Sequence, residues 1–159
     1  MKHLIAIRRA QATDVEAILS ILSEVACRVP VKLSTSEQVM AMKEQINGYC
    51  LDDFSLVAVN ENGVVVGFQL AEKRSTEGFR CPDELYIYLA YAGVTASAAE
   101  QKVFRRLIEA EKRHGLPLVT EVKPDNKSEM AARLMHYNFR PYSNYKTGNY
   151  RWVSFGLQY

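Results

Sequence analysis

The hydrophobic period of this chain changes repeatedly, and its last pair of changes constrains the fold most. Apolar residues recur at helical spacing as far as about residue 48, then alternate from Ser55 to Val94. They return to helical spacing from Glu100 to His114 and alternate again from Leu116 to Val122. A strand, a helix and a strand in direct succession predict a parallel pair joined by a right-handed crossover. The stretch before this unit predicts the opposite kind of pairing. Ser55–Val59 and Val64–Glu72 flank Asn60-Glu61-Asn62-Gly63, and Asn-Gly supplies the positive φ of a tight antiparallel hairpin. A sheet containing both pairings, with helices on both faces, follows.

The remaining elements are read from their ends. Leu4–Arg8 is a short strand. Thr13-Asp14-Val15-Glu16 has the spacing of a capping box, and Val15, Ile18, Leu19, Leu22 and Val25 continue a helix to about Cys27. Ser34 to Glu37 repeats the box before a second helix that Gly48 is expected to stop. Glu84–Val94 is a long strand, Ser128–Tyr137 a fourth helix, and Arg140–Tyr145 and Asn149–Leu157 are two final strands. The predicted order is β-α-α-β-β-β-α-β-α-β-β, an α/β fold with a mixed sheet. At 159 residues it fits a single domain, 1–159.

Several function classes fall away on composition and motif. The net charge is +2, from 20 basic and 18 acidic side chains, which disfavours a nucleic-acid binder. The charge is uneven: nine basic against ten acidic residues up to residue 80, eleven against eight beyond it. That tilt leaves room for an anionic ligand on the C-terminal half. Cys27, Cys50 and Cys81 form no CxxC pair, so neither a disulfide framework nor a cysteine zinc site is expected, and a cytoplasmic location fits. His3, His114 and His136 are scattered, so no metal is expected. No apolar run reaches the ~20 residues that cross a bilayer, and the first nine residues do not read as a signal peptide. A Gly-x-Ser-x-Gly elbow and a Walker loop are both absent.

Two segments resemble the GCN5-related N-acetyltransferases. Val94-Thr95-Ala96-Ser97-Ala98-Ala99-Glu100-Gln101-Lys102-Val103-Phe104-Arg105-Arg106-Leu107 aligns without a gap on that family's strand-to-helix segment, matching at Val94, Val103 and Leu107. The run from Asn126 through Arg133-Leu134 to Asn138-Phe139 resembles its Asn…Leu…Gly-Phe signature. The resemblance implies an acyl-CoA N-acyltransferase-like fold and transfer of acetyl from acetyl-CoA, as co-substrate, to a small-molecule or peptide amine. It also implies a contact role for Ala92, Gly93, Val94, Ala99, Glu100, Gln101, Lys102, Val103, Phe104, Arg105 and Asn126.

The chain departs from the family where the cofactor's pyrophosphate is expected. The family's glycines fall on Glu100, Lys102 and Phe104, and Glu100 places an anion there. Ser97-Ala98-Ala99-Glu100 instead fits a capping box for the third helix, while Lys102, Arg105 and Arg106 offer side-chain charge for phosphates. Gly93 inside a strand suggests a bulge or the close approach of another backbone. The strands ending at Val94 and Val122 are expected to splay beyond Gly93. The family's acidic Tyr position holds Leu134, which leaves Tyr137 as the candidate acid; Glu84 is the candidate base through water. Acceptor contacts are expected from Val29–Thr35 and from the last hairpin, whose Tyr142, Tyr145 and Tyr150 fit a flat acceptor or a homodimer contact. The competing reading is a non-catalytic ligand-binding or interaction module of the same fold.

Overall fold

A computed structural model describes residues 4–25, 32–75, 85–99, 102–122, 134–137, 139–144 and 150–154. Strand β1 is Ile5–Arg9 and, after a 3-10 turn at Ala12–Asp14, α1 is Val15–Val25 and α2 is Ser36–Cys50. Three strands follow: β2 Leu56–Asn60, β3 Val65–Ser75 and β4 Leu85–Val94. A short helical turn, α3 Ala96–Ala99, precedes α4 Val103–Lys112 and β5 Leu118–Val122. After a helical stretch at 134–136 come β6 Arg140–Asn144 and β7 Tyr150–Ser154. The sheet has seven strands in the order β1-β2-β3-β4-β5-β7-β6. Only β4 and β5 are parallel among these neighbours, as the crossover requires.

Each sheet face buries its own apolar set. Val57, Phe68 and Leu70 face α1 and α2, against Ile18, Ile21, Leu22, Met42 and Ile46. Ile87, Leu89 and Leu118 face the other way, against Ile108, Leu134 and Phe139; beside them Leu56 and Ala58 meet Val103 and Leu107. Leu107 and Ile108 are fully buried, which fixes α4 to the sheet by apolar burial.

Helix ends differ from expectation in which side chain closes them. The Asp14 carboxylate, rather than Thr13, closes the start of α1: it accepts the Gln11 N–H at 2.8 Å and two bonds from Arg8 at 2.8 and 2.9 Å. The second box falls one residue late, with Thr35 accepting the Gln38 N–H and Gln38 Oε1 accepting the Thr35 N–H. Gly48 does not stop α2; it lies within the helix, which runs on to Cys50 because Ile46 and Cys50 stay buried against α1 and the sheet. The third helix is broken in two. Thr95 accepts the Ala98 N–H, so Ser97 lies inside α3; Glu100, the other half of the expected box, falls outside the described residues, and Lys102 lies between α3 and α4 at φ 56°, ψ 36°.

Candidate active site

The parallel pairing of β4 with β5 covers only Ile87–Leu118, Tyr88–Val119 and Leu89–Thr120. Beyond it the strands have different neighbours. β4 runs on to Val94 along β3, and β5 runs on to Val122 along β7. The fork therefore opens at Leu89, four residues before the expected point. Thr120 Oγ1 donates to the Leu89 carbonyl at 3.0 Å and closes the base of the fork.

A bulge sits at the mouth of this fork. Leu89 pairs with Ala71 and Tyr91 with Leu70, which leaves Ala90 without a counterpart on β3. The bulge is thus at Ala90, not at Gly93. Gly93 keeps regular register opposite Phe68, and a Cβ there would stand 2.9 Å from Phe68 Cε1, so its lack of a side chain serves ring packing. The extra residue also reverses the strand's faces. Leu89 packs toward α4, yet Tyr91, two residues on, packs toward α2. The Thr95 N–H bonds to Val66 O at 2.9 Å, so by strand alternation Gly93 also turns its N–H toward β3. Ala92 and Val94 then turn theirs toward the edge that β5 leaves.

At the far end of the fork, α4 begins with Val103 fully buried in the core. Lys102, Arg105 and Arg106 are exposed together on its first turn. Lys102 occupies one of the glycine positions of the resemblance and adopts the left-handed backbone that glycine favours. The Phe104 ring lies 5.7 Å from the Tyr137 ring, so the candidate acid and the first turn of α4 share one patch. Leu134 is 2% exposed in the core and cannot substitute for that acid. Ala99 lies in α3; Glu84, Glu100, Gln101, Asn126 and Tyr145 fall outside the described residues.

The helix carrying those cations is tied to the sheet by a buried polar pair. Glu111 is fully buried on α4, and its Oε2 accepts from Gln69 Nε2 at 2.7 Å on β3, opposite Ala92. Burial pushes the Glu111 carboxyl up to about 8; the Gln69 bond opposes that and nearby Asp52 adds to it. His114 Nε2 stands 3.9 Å from Glu111 Oε1.

The opposite face, beside the bulge, carries a cluster that the sequence reading passed over. Glu72 pairs with Tyr88, and Arg74 with Tyr86, across β3 and β4. The Arg74 guanidinium lies 3.8 Å above the centre of the Tyr88 ring, and its Nε donates to Glu72 Oε1 at 2.6 Å. Burial alone would lower the Arg74 pKa, but the bond to Glu72 and the neighbouring tyrosines raise it on balance, so it stays charged. The Tyr49 ring meets Tyr91 edge-on at 6.4 Å, and burial, with Glu72, raises its pKa and keeps it a neutral phenol. Spacing by two along β3 and β4 puts these side chains on one face, a signal legible once the hairpin register is known. Buried Cys50, its thiol pushed up to about 11 by burial, is no nucleophile.

No protein-family model matches the chain. No curated protein matches it either. Solved structures do. NAA60 of Arabidopsis thaliana, in complex with acetyl-CoA, superposes with a TM-score of 0.68 at 18% identity, over 96% of this chain and 99% of that one. The chain has the GCN5-related N-acetyltransferase fold. An acetyltransferase of this fold from Listeria monocytogenes has a TM-score of 0.66 at 13% identity, covering 96% and 99% of the two chains. The diaminobutyrate acetyltransferase EctA of Paenibacillus lautus, bound to its substrate and coenzyme A, has a TM-score of 0.65 at 18% identity, covering 99% and 98%. Among the described residues, the N-acetyltransferase fold here contains no group of three or more metal-ligating side chains and no helix long and apolar enough to cross a membrane.

Proposed function

We propose that the protein is an N-acyltransferase that moves acetyl from acetyl-CoA to a primary amine by direct attack. The fork carries this reading. β4 extends five residues, Ala90 to Val94, past its last pairing with β5. Its open edge can pair with an extended pantetheine arm as a strand edge pairs with a peptide. The bulge at Ala90 breaks the ladder where the thioester would lie, freeing backbone donors for its oxygen. Lys102, Arg105 and Arg106 would meet the phosphates by side-chain charge, beside Ala99, Glu100, Gln101 and Asn126. The kind of reaction agrees with neighbours such as EctA, solved with coenzyme A.

In this reading the neutral amine attacks the thioester carbon, and its proton leaves through water to Glu84. The C–S bond breaks, and the CoA thiolate takes a proton from Tyr137. The test is calorimetry with acetyl-CoA, then thiol release with an amine. At 100-fold excess over its Kd, acetyl-CoA should add about 2.7 kcal/mol of stability. Tyr137→Phe should lower kcat roughly a hundredfold with acetyl-CoA affinity retained. Absence of binding at millimolar acetyl-CoA would overturn the reading in favour of a non-catalytic module.

A further inference from the structure

We propose, resting on the acyltransferase reading, that Arg74 selects the acceptor, which is a primary amine whose chain ends in a carboxylate held by that guanidinium. Glu72 and Arg74 do not form a saturated pair. One carboxylate oxygen, Oε1, meets both Nε and Nη2, so the parallel two-oxygen geometry that a guanidinium favours is not made. Of five guanidinium donors, Glu72 takes two, and among the described residues it is the carboxylate paired with Arg74. The side chains of Arg74 and Glu72 are 40% and 34% exposed, so a ligand can reach both.

The surroundings suit a zwitterion. The Tyr88 ring fixes the guanidinium plane from below. The Tyr49 phenol stands near, its ring against Tyr91, so the Arg74–Glu72 pair lies on an aromatic floor. A carboxylate would satisfy the remaining Arg74 donors, while an uncharged chain end would leave them to water.

Strand spacing adds a length rule. Arg74 lies over Tyr88, and the bulge lies two residues further at Ala90. Two strand residues span ~7 Å. On that spacing an acceptor such as 5-aminopentanoate, with amine and carboxylate about that far apart, is favoured over an α-amino acid, which carries both on one carbon.

The experiment measures thiol release from acetyl-CoA with straight-chain ω-amino acids from glycine to 6-aminohexanoate, each against its primary amide. The acids of about 7 Å span should be the best acceptors, and their amides should show KM values roughly ten- to hundredfold higher. Arg74→Gln should raise the KM of the acids to that of the amides. Glu72→Gln removes the competitor for the guanidinium and should lower the KM of the acids. Calorimetric acetyl-CoA binding reports that each variant is folded. Equal use of acid and amide by the unaltered protein overturns the proposal. So does acetyl-CoA binding without transfer to any acid in the series, which leaves the acyltransferase reading standing. Failure of acetyl-CoA to bind overturns both.

Discussion

Asp14 and Glu111 are both buried carboxyl groups beside a helix end, and their surroundings drive them in opposite directions. Asp14 sits at the start of α1 with a bidentate Arg8 and a backbone N–H. The Arg8 bond outweighs burial, and the carboxyl is held below its ordinary range. Glu111 sits near the end of α4 with one amide donor, and burial wins. Two buried acceptors there, Gln69 Oε1 and Glu111 Oε1, have no hydrogen-bond partner among the described residues. Protonated, Glu111 gains an O–H donor beside the residue whose amide oxygen is unpartnered. Burial alone therefore does not decide the charge; the number of donors aimed at the oxygens does.

The largest expected effect comes from making the same isosteric change at both. With a folded pKa of about 8 against an ordinary 4.5, Glu111 keeps its proton while the unfolded chain has lost it. The folded state then binds more protons, so its stability falls as pH rises, by about 1.4 kcal/mol per unit, and levels off above the folded pKa. Glu111→Gln carries no charge to bury at any pH. It should stabilise by on the order of 3 kcal/mol at pH 8 and little at pH 5, read from urea melts. Asp14→Asn should do the reverse. Asp14 contributes stability above its ordinary pKa that is lost as pH falls through its lowered one. At neutral pH the variant should lose about 1–2 kcal/mol, the lower end because Arg8 is partly exposed. Effects of the same sign would break the comparison.

The backbone offers a smaller version of the same contrast. Lys102 holds a left-handed φ of 56° without being glycine, and Gly48 is a glycine where the helix needs none. Lys102→Gly should stabilise by about 1 kcal/mol and leave the α3–α4 break in place. A Cβ at Gly48 would meet nothing within 4 Å, so Gly48→Ala should stabilise by roughly 0.5–1 kcal/mol. A loss at Lys102 in thermal melts would mean that its side chain makes contacts worth more than its strain.

Much of this architecture was legible because periodicity is local. The alternation of Glu84–Val94 and Leu116–Val122 around a helical stripe predicts the parallel pair without reference to any other residue, and Leu85–Val94 and Leu118–Val122 form it. The Asn60–Gly63 turn predicts the β2–β3 hairpin in the same way, and Asn60 Oδ1 accepts from Asn62 and Val64 in it. Candidate site residues were legible only in part. Phe104 and Tyr137 do meet, but Val103 is core, and the bulge falls on Ala90, where the sequence shows an ordinary alanine.

The sequence by itself determined the order of elements, the β4–β5 crossover and the faces that must be buried, since each follows from spacing within ten or fifteen residues. Tertiary structure decided where the β4–β5 pair ends, which face Tyr91 occupies, whether Glu111 keeps its proton, and that Arg74 lies on Tyr88 beside the fork. Those outcomes depend on pairs from different elements, Leu70 with Tyr91, Gln69 with Glu111 and Glu72 with Tyr88. Their energies depend on register and burial, which exist only once the chain has closed on itself.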